Sequence, residues 1–285
     1  MMGYIYWDPS PEIFVLPIVH WPILWYGLFF ALGFGVGFII FYSLLIRLFE
    51  QTSDESLAHI KKRALWLTDR FTLYIVLSTV IGARLGHFLF YENPSHYLSH
   101  PLEILQIWKG GLASHGAAVG IVVGTILFAH FYRAPLANTS WLRLLDFVSI
   151  PTAFAGACIR LGNFCNQEIL GTPSTLPWAV LFAHPMDQSA PIPRHPVQLY
   201  ESLFYLLTFL LLWKLSRRLP PQGRLLGLFL LLVFGGRFLL EFLKVEQSTL
   251  LLNSSLTMGQ WLSILPIFLS LWLLYRTSKL RGSAP

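Results

Sequence analysis

The chain has 285 residues and a formal net charge of +6, and 55% of its residues are hydrophobic against 12% charged. Soluble domains carry about 25% charged residues, so this composition excludes a soluble globular protein. Because the basic residues lie in short loops beside apolar runs, the positive charge does not indicate a nucleic-acid partner.

Residues 1–18 predict neither a cleavable signal peptide nor a membrane span. The segment carries Asp8 and Glu12 where a signal peptide has basic residues, and three prolines interrupt any helix. We therefore expect the first span to be retained and the acidic start to lie outside.

Apolar runs long enough to cross a bilayer, about 20 residues each, recur along the whole chain. They lack the alternation typical of barrel strands, so each run predicts a helix. The sequence therefore predicts an all-α polytopic membrane protein with a single transmembrane domain, residues 1–285. The seven predicted spans are approximately residues 20–47, 71–91, 112–132, 144–165, 197–213, 225–243 and 259–275.

Basic residues set the expected orientation, because short loops rich in Lys and Arg remain on the inner side. With the N-terminus outside, most basic residues fall in the inner loops and the C-terminal tail. They are Arg47, Lys61, Lys62, Arg63, Arg70, Arg133, Arg143, Lys214, Arg217, Arg218, Arg224, Arg276, Lys279 and Arg281. The outer loops hold only Lys109, Arg194 and Lys244.

Between the fourth and fifth spans lies the longest outer segment, approximately residues 166–196, which is rich in Pro, Gly and Ser. It predicts a small head or lid over a cavity. Cys158 and Cys165 are too far apart on one helix for a local disulfide, and they favour buried thiols over a redox or acyl-carrying role. No metal-ligand spacing occurs, so we expect no metal and no cofactor.

Three apolar spans each contain one arginine: Arg84, Arg160 and Arg237. A guanidinium in hydrocarbon is costly unless it is paired or faces a wet cavity. All three arginines lie roughly 10 Å below the outer end of their spans, and His115 opens the third span in its outer third. The set predicts an anion-binding pocket for a phospholipid head group. The alternative is that each arginine snorkels outward or ties helices together.

Polar side chains follow two of these arginines in the sequence. Glu241 lies one turn after Arg237, which predicts either a structural ion pair or free Arg237 donors for a ligand. The fourth span ends in a polar run that we expect to cradle a phosphate or glycerol group. With Arg160, this run comprises Asn163, Asn166, Gln167, Glu168 and Gly171.

A second polar run opens the fifth span, and its members are expected at the same mouth. They are Arg194, His195, Gln198, Tyr200 and Glu201. Tyr26, at the start of the first span, predicts an interfacial anchor or a site residue. Asp146, near the inner end of the fourth span, predicts an acid favoured by the N-terminal dipole of its own helix.

Six motifs, in this order, resemble those of the prolipoprotein diacylglyceryl transferase family. The resemblance covers nearly the whole chain, and the motif of the fourth span is the most specific. The motifs are RLGHFLFY at 84–91, HGAA at 115–118, RLGNFCNQE at 160–168, RHPVQLYE at 194–201, RFLLEF at 237–242 and MGQWLS at 258–263.

The resemblance implies a seven-span enzyme of the bacterial inner membrane, with its N-terminus and active site on the periplasmic side. Its substrates would be phosphatidylglycerol and the lipobox cysteine in the signal peptide of a prolipoprotein. The diacylglyceryl group would move to the thiol, which gives a thioether and glycerol phosphate. The reaction would be the first step of lipoprotein maturation.

The resemblance also implies roles for individual residues. Arg160 matches the family's phosphatidylglycerol-binding arginine, and Tyr26 matches a functional tyrosine. Positions that the family needs for activity are matched by His115, Asn163, Gly171 and Arg237. The chain departs from the family pattern at Ala117, Ile159 and Val233.

For the proton of the thiol, His115 is the predicted base or relay, with Glu201 or Glu241 as alternatives. Arginines binding the phosphate would stabilise the leaving group. Two other classes remain as alternatives: a transporter for an anionic solute and a non-catalytic lipid-binding scaffold.

Overall fold

The structure is a computed structural model that describes residues 3–18, 20–91, 100, 103, 106, 110–245 and 255–282. Seven long helices account for most of these residues. They are α1 (Trp25–Thr52), α2 (Leu57–Tyr91), α3 (Ser114–Phe131), α4 (Trp141–Cys165), α5 (Val197–Ser216), α6 (Arg224–Leu240) and α7 (Met258–Gly282). Each is long and apolar enough to cross a membrane, which confirms the seven predicted spans and the all-α polytopic class.

The largest difference from the predicted spans is in α2, which begins at Leu57 rather than near residue 71. Residues 57–70 include Lys61, Lys62 and Arg63, so they are too polar to belong to a predicted span. Lys, Arg, Ala and Leu are strong helix formers, however, and the helix continues through them. Hydropathy therefore located the membrane-crossing part of α2 but not the start of the helix.

The chain forms two compact units, residues 1–40 with 146–285 and residues 41–145. Within the second unit, α2 and α3 pack through glycines. A Cβ atom on Gly86 would lie 2.8 Å from the Gly116 Cα, and one on Gly82 would lie 2.9 Å from the Gly120 Cα. Only glycine allows the two backbones to come this close, as small residues do between membrane helices.

Replacing Gly86 with alanine should therefore destabilise the protein, although alanine is the better helix former. Alanine gains about 1 kcal/mol over glycine in a helix, whereas overpacking costs about 1–3 kcal/mol. Gly35→Ala in α1 is the matched control, because a Cβ atom there meets nothing within 4 Å. We expect thermal unfolding in detergent to show a lower midpoint for Gly86→Ala and an unchanged or higher midpoint for Gly35→Ala. Equal midpoints would contradict the close approach of α2 and α3.

In the first unit, the buried carboxylate of Asp146 binds the start of α6. It accepts hydrogen bonds from the backbone N–H groups of Gly223 and Leu226, both at 2.8 Å. These donors belong to the first turn of α6, which leaves them without partners inside the helix. The prediction that Asp146 serves its own helix was wrong, because α4 begins at Trp141 and has no acidic residue in its first turn.

Removing this cap in Asp146→Ala should lower the free energy of unfolding by about 1–2 kcal/mol, the usual cost of a lost cap. Asp146→Asn keeps one acceptor oxygen and should lose less. Denaturant unfolding in detergent measures both effects, with Asp54→Ala at an exposed position as the control. An Asp146→Ala protein as stable as the control would show that the cap contributes nothing.

Among the residues that the structure describes, five short strands lie outside the seven helices, and all belong to the first unit. They are β1 (Ile5–Trp7), β2 (Glu12–Val15), β3 (Pro22–Leu24), β4 (Val180–Phe182) and β5 (Pro193–Arg194). β1 pairs in parallel with β4, and β4 pairs antiparallel with β5, while β2 and β3 form a hairpin. The segment predicted to be a head, residues 166–196, therefore forms a small sheet with the start of the chain.

A small apolar core holds this sheet against the end of α4. Phe164, Leu170, Val180 and Phe182 are buried together, and Trp7 packs against them. The indole N–H of Trp7 also donates a hydrogen bond to the Phe164 carbonyl at 3.0 Å. The sequence did not indicate this contact, because it joins residues 157 positions apart. It fixes the loop after α4, which carries several of the predicted site residues.

Candidate active site

Four charged side chains of the first unit form one connected group, which we call the ion chain: Arg160, Glu201, Lys244 and Glu241. Arg160 Nε lies 2.9 Å from Glu201 Oε2, and Lys244 Nζ lies 2.8 Å from Glu201 Oε1. Lys244 Nζ also lies 3.2 Å from Glu241 Oε2. The Glu201 side chain is fully buried, and Lys244 is 7% exposed. Two cations thus balance two carboxylates where water is scarce, as buried charges require.

Not every contact in the ion chain is a hydrogen bond. Lys244 donates a well-formed hydrogen bond to Glu201 Oε1 at 2.8 Å. Within the described part of the chain, Glu201 Oε2 and Glu241 Oε2 accept no aligned hydrogen bond, and Arg160 and Lys244 contact these two oxygens as ion pairs. The pairing at the centre of the chain is therefore stronger than the pairing at its ends.

Three amide side chains, Asn163, Asn166 and Gln198, form a second group that we call the amide clamp. Arg160 Nη1 donates to Asn163 Oδ1 at 3.0 Å, and Asn163 Nδ2 donates to Glu168 Oε1 at 2.8 Å. Asn166 Nδ2 donates to the same Glu168 oxygen at 3.2 Å. Gln198 Nε2 donates to the Glu168 backbone carbonyl at 2.8 Å. The clamp connects the ion chain to Glu168 and fixes both ends of that residue.

The loop that carries Glu168 is strained. Gln167 and Ile169 on either side of it have φ angles of +53° and +57°. The left-handed region is unfavourable for a β-branched residue such as isoleucine, and strain of this kind is concentrated at functional sites. Gly171 follows, where a Cβ atom would lie 2.9 Å from the His195 Cβ, so only glycine fits there.

Arg237, on α6, takes no part in the ion chain. Its Nε is buried and has no hydrogen-bond partner, and no carboxylate of the described residues lies within 4 Å of its guanidinium. Arg237 interacts electrostatically with Tyr205. Tyr205 also interacts electrostatically with Arg160, so the two arginines lie near one hydroxyl group.

Of the two predicted alternatives for Arg237 and Glu241, the ion pair does not form. The helix α6 ends at Leu240, and Glu241 begins a 3-10 turn, Glu241–Leu243. This turn brings Glu241 to Lys244 instead. A Cβ atom on Gly259 of α7 would overlap the Glu241 carboxylate, so the glycine of the MGQWLS motif makes room for it.

Tyr26, in the first turn of α1, packs against α4 at Gly162. A Cβ atom on Gly162 would lie 2.7 Å from the Tyr26 ring, so glycine is needed for this contact. Tyr26 is within electrostatic reach of Glu168 and Arg160. The structure therefore brings the predicted tyrosine to the amide clamp.

Arg194, another predicted binding residue, contacts residues of the predicted head rather than the ion chain or the amide clamp. Arg194 is buried and donates to the Gly171 carbonyl at 3.2 Å and to the Ser189 hydroxyl at 3.1 Å. Nearby, burial raises the pKa of Asp187, but hydrogen bonds from Ser189 and the charge of Arg194 outweigh it, so the pKa is lowered overall. Through these hydrogen bonds, Arg194 stabilises the loop in this structure.

His195 and Tyr200 form a separate polar contact on the same side. The Tyr200 hydroxyl lies 3.5 Å from His195 Nδ1 and accepts a hydrogen bond from the Trp178 indole at 2.8 Å. Neither side chain forms a hydrogen bond or ion pair with the ion chain among the described residues. Their roles in substrate binding stay predictions.

Two predicted site residues, Arg84 and His115, belong to the second unit. Arg84 is buried, and it donates to the carbonyls of Gly110, Gly111 and Glu103 at 3.1, 3.2 and 2.7 Å. His115 lies in the first turn of α3, and its ring packs edge-on against Phe90 at a centroid distance of 5.1 Å. Arg84 thus binds the backbone at Gly110 and Gly111, just before α3. The predicted roles of Arg84 and His115 toward substrate stay predictions.

Two residues were not predicted from the sequence as site residues: Lys244, which belongs to the ion chain, and Tyr205, which lies near it. Lys244 was assigned to an outer loop, yet its position three residues after Glu241 was a signal for an ion pair. Tyr205 follows Glu201 by one helical turn, and it is buried against α4, where a Cβ atom on Gly156 would lie 3.2 Å from its ring. Helical spacing from a predicted site residue was the available signal for both.

Seven apolar helices and a buried cluster of charged and amide side chains define a polytopic membrane protein with a polar site. A sequence model of the family Prolipoprotein diacylglyceryl transferase matches residues 13–276. The chain therefore belongs to the prolipoprotein diacylglyceryl transferase family, as the motifs predicted.

Individual relatives agree with this family over almost their whole length. The phosphatidylglycerol–prolipoprotein diacylglyceryl transferase of Chloroherpeton thalassium is 42% identical, over 97% of this chain and 96% of that protein. The protein of the same name from Tolumonas auensis is 39% identical, over 91% and 92%. That of Protochlamydia amoebophila is 36% identical, over 96% and 95%.

Replacing Lys244 should greatly lower the stability of the protein, because Glu201 is then buried with one counter-ion instead of two. Lys244→Met keeps the volume and the apolar stem, and we expect it to lose about 3–5 kcal/mol of stability, as for other broken buried pairs. Lys244→Arg keeps the charge and should retain most of the stability. Thermal unfolding in detergent compares the two variants. Equal losses would show that shape rather than charge matters at this position.

Proposed function

We propose that this chain transfers the diacylglyceryl group of phosphatidylglycerol to a cysteine thiol of a prolipoprotein. The chain is a transferase of the family shown above, and the names of its relatives contain both substrates. Within the site, the observation that carries the proposal is Arg237, whose buried Nε has no acceptor among the described residues. The phosphodiester of a lipid head group supplies such an acceptor.

The two arginines have different roles in binding this anion. Arg160 is held by Glu201 and Asn163, so its guanidinium is fixed in direction. Arg237 keeps its donors for the ligand, and both arginines lie near Tyr205. Guanidinium groups bind phosphate oxygens in pairs, and they stabilise the charge that grows on the phosphate as it leaves.

The acceptor is the lipobox cysteine in the signal peptide of the precursor. Its sulfur forms a bond to the glycerol carbon of the diacylglyceryl group, and the bond between that carbon and the phosphate oxygen breaks. The products are a thioether and glycerol phosphate, and the step begins lipoprotein maturation. This route uses no metal and no dissociable cofactor.

The proposed location is the bacterial inner membrane, with the N-terminus and the active site on the periplasmic side. The distribution of basic residues over the loops supports this orientation. Tyr26, Asn163, Asn166 and Gly171 belong near the lipid head group.

The test uses purified protein in detergent with phosphatidylglycerol and a lipobox peptide. Mass spectrometry should show a diacylglyceryl mass gain on the peptide cysteine, and none on a peptide with serine in its place. Tight phosphatidylglycerol binding without a mass gain would favour the scaffold instead. Neither binding nor turnover would favour the transporter.

Within this assay, Arg237→Ala should lower kcat/KM by about 100-fold or more, the usual cost of removing a donor to the developing charge. Arg160→Ala should also abolish most of the activity, because it removes a guanidinium and unbalances Glu201. Arg224→Ala, on the same helix as Arg237, is the matched control and should keep wild-type activity. Normal turnover by Arg237→Ala would contradict the phosphate role.

A further inference from the structure

The charges of the site do not all neutralise one another. Around Tyr205 and the amide clamp the described residues include three cations and three carboxylates, and two of each form the ion chain. The remaining two are Arg237 and Glu168, and neither has an opposite charge within 4 Å among the described residues. Charged side chains that lack a counter-ion in a partly buried site are candidates for direct contact with a substrate.

Glu168 is fixed in place and yet has one open oxygen. Its Oε1 accepts from Asn163 and Asn166, and its backbone carbonyl accepts from Gln198. Its Oε2 accepts no hydrogen bond from the described residues, and it is not one of the buried atoms that lack a partner. The side chain is half-buried, so this oxygen is open to the surface of the site.

The other two carboxylates are poorly suited to take up a proton. Glu201 lies between Arg160 and Lys244, and Glu241 faces Lys244. Protonating either one would leave a buried cation without its counter-ion, which is costly. Glu168 forms no ion pair among the described residues. Its side chain accepts from the Asn163 and Asn166 amides and interacts electrostatically with Tyr26 of α1.

We infer that Glu168 is the catalytic residue that accepts the proton of the acceptor thiol, while Arg237 meets the phosphate. This inference rests on the proposed function. It replaces His115, Glu201 and Glu241, the bases that the sequence suggested, with a residue that had been assigned to substrate binding. Of the two charges without a counter-ion, Arg237 then binds the phosphate of the lipid and Glu168 accepts the proton of the thiol.

The S–H proton passes to Glu168 Oε2, and the sulfur electron pair forms the C–S bond to the glycerol carbon. The C–O bond breaks, and its electron pair stays on the phosphate oxygen. The leaving group is a phosphate monoester with a second pKa of about 6, so it can take the proton back from Glu168. No oxidant or further reactant is needed.

The experiment compares two acceptor peptides that differ in one atom, with cysteine or selenocysteine at the lipobox position. A selenol is largely ionised at neutral pH, so its attack does not need a base. General base catalysis contributes about 100-fold or more, so Glu168→Gln should lose about that factor with the cysteine peptide. With the selenocysteine peptide it should stay within about tenfold of the wild-type rate. The matched controls are Glu241→Gln and His115→Gln.

Each outcome separates the alternatives. Glu241→Gln should lose activity equally with both peptides, because it disturbs the ion chain rather than a proton transfer. Rescue of His115→Gln, and not of Glu168→Gln, by selenocysteine would overturn the inference and assign the base to His115. Equal losses with both peptides in Glu168→Gln, together with weaker phosphatidylglycerol binding, would make Glu168 a structural residue. A wild-type protein inactive with both peptides would instead contradict the proposed function itself.

Discussion

The fully buried carboxylate of Glu201 is the interaction on which the rest of the site depends. It contacts Arg160 and Lys244 at 2.9 and 2.8 Å, so a carboxylate of α5 joins α4 to the turn after α6. In the interior of a membrane protein no bulk water can compensate such a charge. The three segments must therefore stay together for the Glu201 charge to stay paired, and the ion pairs fix their register.

The direction of Arg160 follows from this pairing, and the amide clamp follows from Arg160. Because Nε faces Glu201, Nη1 is turned toward Asn163 Oδ1. The Asn163 amide is thereby oriented with its nitrogen toward Glu168, to which it donates at 2.8 Å. An asparagine can pass on direction in this way because it accepts at one end and donates at the other. One buried ion pair thus orients side chains that it does not touch.

The sequence predicted the parts of this arrangement that depend on local spacing. The seven spans followed from bilayer thickness, and the polar run after Arg160 followed from helical periodicity. Lys244 was missed because hydropathy placed it in a loop, whereas a 3-10 turn after Leu240 returns it to the cluster. The contact between Glu201 and Lys244 joins residues 43 positions apart, and no local pattern encodes it.

The distribution of unfavourable features argues for function rather than stability as the reason for this site. A sequence selected only for stability would neutralise every buried charge or replace the charges with apolar side chains. Here the ion chain is complete, yet Arg237 keeps a buried Nε without an acceptor. Glu168 likewise lacks a cation, and the strained Ile169 lies beside it. An uncompensated charge thus lies at each of the two positions where, under the proposed function, a phosphate and a thiol are received, and backbone strain lies beside one of them.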